Sequence, residues 1–167
     1  MIFNLTDYKL LSFDIYATLI DWETGIYNAL QPLVQRLPKD SPFRAVSPTE
    51  TRRLVLRTYS AHEAAIQMEQ PKLLYTDILA EIYKRLAQEL SLKYSASEPH
   101  TFSSSIGIWP AYPDTVEAMK ILGKYYKLVV LSNVDKASFS CTLSGPLNGV
   151  HFDAIYTAED IGHTSPT

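Results

Sequence analysis

Hydrophobic and polar positions alternate along the chain in two rhythms. Tyr8 to Phe13, the stretch "KLVVLSN" from Lys127, and Phe152 to Ala158 are short apolar runs bounded by polar residues. That pattern predicts strands buried on both faces. Elsewhere the apolar positions step by three and four. Trp22, Ile26, Leu30, Leu33 and Leu37 give one helical face, which "LPKDSPF" interrupts with two prolines. In "SPTE", Ser47 caps, Pro48 takes the first helical position and Glu50 reaches back, predicting a helix to about Gln70. Leu74, Ile78, Ile82, Leu86 and Leu90 mark the next helix. From Ser91 to Ser105 the chain turns to Ser, Ala, Glu, Pro, His and Thr and reads as a linker. "YPDTVEAMKILGKYY" restarts a helix with Asp114 as cap, Val116, Met119 and Leu122 as its apolar face and Gly123 as its stop. "SFSCTLSGPLNG" predicts a short helix ended by Gly145 and Pro146. Strands separated by helical segments at this spacing predict parallel pairing through crossovers, hence an α/β sheet.

Composition narrows the partners. The 167 residues are 46% hydrophobic, enough for a sizeable core. A formal net charge of -3 supplies no bulk attraction to nucleic acid or to an anionic membrane, so a small-molecule partner is expected. Asp7, Lys9 and Asp14 interrupt what would be the core of a signal peptide, and no later run has the length of a membrane span, so a cytoplasmic location is expected. Cys141 has no second cysteine to pair with and reads as a small core residue. His62, His100, His151 and His163 show no mutual metal-ligand spacing and are assigned no role. Trp22 and Trp109 read as packing residues.

The candidate chemistry begins in "LSFDIYATLIDW", where Asp14 ends the first apolar run with no Lys or Arg beside it. In open parallel sheets ligands bind beyond the carboxyl ends of the strands. Asp14, Ser132 and Asn133 all fall at such ends. A carboxylate held there can attack an electrophilic centre and form an ester, although an aspartate that merely caps a turn fits the dodecamer equally well.

"FDIYATLIDW", "WPAYPDTVEAMKIL", "LVVLSNVD" and "FDAIYTAEDIG" resemble, in order and spacing, the haloacid dehalogenase superfamily, and within it the type II 2-haloacid dehalogenase-like branch. The resemblance implies a doubly wound, Rossmann-like parallel core from residues 1–20 and 106–167, with a helical cap inserted at 21–105. It implies Asp14 as nucleophile, Thr18 as the hydroxyl supporting its carboxylate, and Ser132 and Asn133 as the second motif, holding the nucleophile or the substrate's carboxylate. Ile15 and Tyr16 would line the substrate site. Arg53, six residues before Tyr59, would receive a 2-haloacid anion, with Arg52 and Arg57 as competing choices. Phosphatases of the superfamily carry a second Asp where this chain has Tyr16, and use magnesium. Halide leaves unprotonated and needs no such acid, so Tyr16 fits displacement at carbon, without a metal, better than phosphoryl transfer.

The family's third-motif Lys is missing, with Ser165 in its place and Pro166 matching, and the acidic fourth motif has no counterpart. A core truncated in this way should turn over slowly, because no cation offsets the charge of the nucleophile and of an anionic substrate. It should also expose an apolar sheet edge. Three functions are compatible with these residues: an impaired hydrolase acting through Asp14 on a small organic acid, a non-catalytic remnant that dimerises or binds a partner through that edge, or a magnesium-dependent phosphatase.

Overall fold

In a computed structural model that describes residues 4–44, 47–157 and 159–160, three parallel strands form one sheet in the order β1 (Leu10–Phe13), β2 (Lys127–Leu131), β3 (Ala154–Tyr156). Leu10 pairs with Lys127 and Phe13 with Val130, while Val129 pairs with Ala154 and Leu131 with Tyr156. The parallel α/β class follows directly from this register. Helix α6 (Thr115–Leu122) leads into β2, and α7 (Lys136–Ser144) connects β2 to β3. Right-handed crossovers that step the same way twice put both helices on one face of the sheet. Leu128 and Val130, 1% and 0% exposed, point to that covered face. Leu10, Leu131 and Tyr156 share the other face and are about half exposed.

These half-exposed residues correct the expectation of strands buried on both faces, although Val129, on the same face as Leu131, is buried. The first strand is also shorter than predicted, with a 3-10 turn at Leu5–Asp7 before it. The third is ordered as a strand only over Ala154–Tyr156, while Ala158 lies outside the described residues.

The sheet belongs to a unit formed by Met1–Trp22 and Gly107–Pro166; Glu23–Ile106 form a second, helical unit. The helical run expected from Trp22 to Leu37 is divided into α1 (Trp22–Ala29) and α2 (Gln31–Val34), because Pro32 stands in the first turn of the second piece. Its apolar stripe survives the break, with Ile26, Leu30, Leu33 and Leu37 all buried. Helix α3 (Pro48–Glu69) opens as its capping signal predicts, the Ser47 hydroxyl accepting from the Glu50 amide at 3.2 Å. The Glu50 side chain does not close the box; it pairs with Arg53 instead. Helix α4 (Tyr75–Glu89) buries Ile78, Ile82 and Leu86, whereas Leu74 sits at its cap and is 42% exposed.

The stretch read as a linker contains helix α5 (Glu98–Ser103) and a 3-10 turn at Ser104–Ile108. Pro99 stands in the first turn of that helix, and Phe102 is buried against Tyr83 and Tyr59, with ring centroids 5.5 Å and 6.4 Å away. Asp114 occupies the cap position of α6 without a side-chain capping bond. Asp135 does cap α7, its Oδ1 accepting from the Ser138 amide at 2.8 Å, and Gly145 ends that helix. Cys141 is exposed, not a core residue, although its Cβ lies hard against Gly107.

Candidate functional site

Asp14 is the first residue beyond the paired length of β1. It is exposed, and among the described residues its carboxylate makes no hydrogen bond or ion pair. The turn after it needs no side chain to close, which leaves the carboxylate out. The Ile15 carbonyl accepts the amides of Thr18, Leu19 and Ile20 at 3.3, 2.7 and 3.0 Å, so backbone groups alone complete the turn. Ala17 supports it in the left-handed region at φ 72, a conformation costly for a residue with a Cβ. Ile15 is fully buried and anchors the turn from below. It therefore does not line a surface open to ligand, as the family resemblance implied. Thr18, expected to support the carboxylate, is exposed, and among the described residues its hydroxyl makes no hydrogen bond.

Asp14 continues β1 opposite Leu131, and Ser132 and Asn133 come next on β2, so the parallel register carries all three to the same end of the sheet. Ser132 is held by its amide to the Tyr156 carbonyl at 3.1 Å and is 5% exposed. Asn133 is exposed. Among the described residues, the buried side-chain polar atoms without a partner are Ser132 Oγ and Asp135 Oδ2. Both belong to the short turn that leaves β2. Buried groups are normally satisfied, and these two orphans lie within four residues of each other. Asp135 was not among the residues that the sequence singled out, although a capping residue three positions before Ser138 is a legible signal.

Tyr16 is partly buried, with its ring edge-on to Trp109 at 5.7 Å and its hydroxyl 2.9 Å from Thr142 Oγ1. Thr142 Oγ1 also lies 3.1 Å from the Ser138 carbonyl, which can only accept. Both bonds form together only if Thr142 donates to Ser138 and Tyr16 donates to Thr142. The Tyr16 proton is thereby turned away from any ligand. Burial pushes its pKa well above the usual tyrosine value, with smaller contributions from the charges of Asp135, Cys141 and Asp14. Tyr16 thus stays neutral, with its hydroxyl proton committed to Thr142. Thr142, 126 residues away in sequence, could not have been connected to it from the sequence.

The candidate anion receptors lie in the helical unit. Arg53 is engaged by Glu50 through two bonds, at 2.9 and 2.5 Å, on an exposed face. Arg52 donates to Thr24 at 3.0 Å and lies over the Tyr27 ring. Arg57 is exposed on a groove of about 320 Å³ with Phe43, Leu54 and Thr58. Among the described residues no group of three or more His, Cys, Asp or Glu is placed to hold a metal ion, and no helix is long and apolar enough to cross a membrane.

No protein-family model matches the sequence, and no curated protein matches it either. Solved structures do match the fold. The L-2-haloacid dehalogenase PA0810 aligns over 95% of this chain with a TM-score of 0.69 and 22% identity. The fold is that of the haloacid dehalogenases. The L-2-haloacid dehalogenase from Xanthobacter autotrophicus aligns over 95% with a TM-score of 0.70 and 15% identity. A putative HAD-hydrolase from Bacillus subtilis, YfnB, solved bound to magnesium, aligns over 96% with a TM-score of 0.66 and 16% identity. The chain spans 66%, 59% and 68% of those three proteins. Within the haloacid dehalogenase fold, Asp14, Ser132 and Asn133 stand together at the strand ends. Ser165, at the position of the family's Lys, lies outside the described residues.

Proposed function

We propose that this protein is a haloacid dehalogenase-like hydrolase in which Asp14 attacks a carbon bearing a leaving group in a small organic 2-halo compound. One carboxylate oxygen forms an ester with that carbon, and the carbon–halogen bond breaks with its electron pair leaving as halide. No proton moves in this step, and water later cleaves the ester. The observation that carries the reading is the unpartnered Asp14 carboxylate, held just past β1 by a turn closed with backbone bonds. Support also comes from the fold shared with L-2-haloacid dehalogenases. Tyr16, its proton turned toward Thr142, supplies no acid for an alkoxide or phosphate-ester leaving group. Halide requires none, and this weighs against the magnesium-dependent phosphatase. Halide release of one equivalent or more per protein molecule, abolished by Asp14→Asn, is the expected result. Release unchanged in that variant would refute the assignment.

A second reading draws on the half-exposed residues of one sheet face. Leu10, Leu131 and Tyr156 are 51%, 52% and 48% exposed on one side of a sheet whose edges are β1 and β3 among the described residues. Parallel sheets normally bury both faces, so a binding role through this face and edge is the alternative. A concentration-dependent dimer in sedimentation, with every catalytic assay indifferent to Asp14→Asn, would favour it.

A further inference from the structure

The helical unit carries a groove lined by its own residues alone. The 3-10 turn at Pro42–Arg44, the stripe Leu54, Arg57, Thr58 and Ala61 on α3, and Glu89 at the end of α4 line about 320 Å³. That volume is at the lower end of the range for small-ligand sites. Spacings of three and four place the α3 residues on one side of that helix. Arg52, which reaches Thr24 on α1, falls on the other side. The walls are held by bonds of their own. The Phe43 amide donates to the Ser41 hydroxyl at 3.3 Å and the Arg44 guanidinium to the Leu37 carbonyl at 2.9 Å, while His62 of α3 lies 2.8 Å from Glu89 of α4. A ligand would therefore enter a space that already exists.

Phe43 and Leu54 are half-buried and keep apolar surface on this groove, beside Pro42 and Ala61. The polar side is made chiefly of donors. Of the three arginines on α3, Glu50 engages Arg53, and Thr24 with the Tyr27 ring engages Arg52. Among the described residues the exposed Arg57 guanidinium makes no hydrogen bond or ion pair, and neither does the Thr58 hydroxyl next to it in sequence. Glu89 is engaged by His62. One cation and one hydroxyl beside an apolar surface match a single carboxylate on an apolar body, whereas a second carboxylate would meet Glu89. We infer that this groove binds a small aryl- or branched-chain monocarboxylate, with its carboxylate accepting from Arg57 and Thr58 and its apolar body on Phe43 and Leu54. The site makes no use of Asp14 and stands whether or not Asp14 is a nucleophile.

The test titrates the full chain with 3-phenylpropionate and with 3-phenylpropionamide, which share shape and differ in charge, and follows backbone amide resonances. Neither reagent carries a leaving group on carbon, so the result is independent of any chemistry at Asp14. The acid should shift the amides of Phe43, Thr58 and Ala61, with a dissociation constant on the order of 1 mM. The amide should bind about three- to tenfold more weakly, the effect of one charge-assisted bond to an exposed arginine. Arg57→Gln, at an exposed position, should weaken the acid by the same factor, leave the amide unchanged and so abolish the preference. Added salt should weaken the acid alone. Ala61→Glu, also at an exposed helical position, should remove binding of both by filling the groove with a charged side chain. Equal affinity for acid and amide, an acid affinity that Arg57→Gln leaves alone, shifts confined to residues away from the groove, or no shift with either reagent would each overturn the inference.

Discussion

Thr142→Val removes the hydroxyl that the Tyr16 proton uses and keeps the side-chain shape. In the parent protein the 2.9 Å bond from Tyr16 and the 3.1 Å bond to the Ser138 carbonyl form a short chain through one oxygen. After the substitution the Tyr16 hydroxyl is left in a pocket where Trp109, 2% exposed, covers one side. A lost hydrogen bond costs about 1 kcal/mol and an orphaned buried donor about 1–3 kcal/mol. Since Tyr16 is only partly buried, a loss of about 1–2 kcal/mol is expected. With a urea m-value of about 2 kcal/mol/M for a domain of this size, the midpoint should fall by about 0.5–1 M. Tyr16→Phe removes the donor, so in the Thr142→Val background it should cost less than it does alone, with a coupling of about 1 kcal/mol. Strict additivity of the two substitutions, or a Thr142→Val midpoint equal to that of the parent, would refute the assigned proton direction.

Gly107→Ala would place a Cβ 2.4 Å from the Cβ of Cys141 and should cost about 1–3 kcal/mol in urea unfolding. Cys141→Gly, which removes the opposing atom, should cost less in that background than in the parent, and equal costs would argue against the contact. Ala17→Gly should stabilise by about 0.5–1 kcal/mol by relieving the left-handed residue at φ 72, read as a higher melting temperature. Burial raises the pKa of Glu63 although Tyr75 and Tyr59 donate to it at 2.5 and 3.4 Å. A carboxyl whose folded pKa is raised contributes its stability below the unfolded value and loses it as pH rises through the folded one. Parent stability should therefore fall relative to Glu63→Gln as pH rises out of the ordinary glutamate range. An unchanged difference across that range would contradict the raised value.

Much of the fold could be read from local pattern because local physics decides it. The Ser47 cap and the stripe Ile78, Ile82, Leu86 are each settled within a few residues, whereas Pro32 divides a helix that the apolar periodicity alone carried on to Leu37. Helix α5 escaped notice because its composition is that of a linker, and Phe102 is buried only by partners on other helices. The half-exposed Leu10 could not be foreseen from an apolar run, since exposure depends on which face the crossovers cover. At the site, Asp14, Ser132 and Asn133 were legible as strand ends. The Tyr16–Thr142 bond and the orphaned Asp135 oxygen are tertiary facts with no spacing to announce them.

The most direct measurement is the mass of the peptide carrying Asp14, taken after the protein has been exposed to 2-chloropropionic acid at neutral pH and quenched in acid. An adduct on Asp14 equal to the reagent less hydrogen chloride, absent in Asp14→Asn, is predicted. An Asp14 peptide of unchanged mass, with no heavy oxygen incorporated from labelled water during the same exposure, would contradict the account.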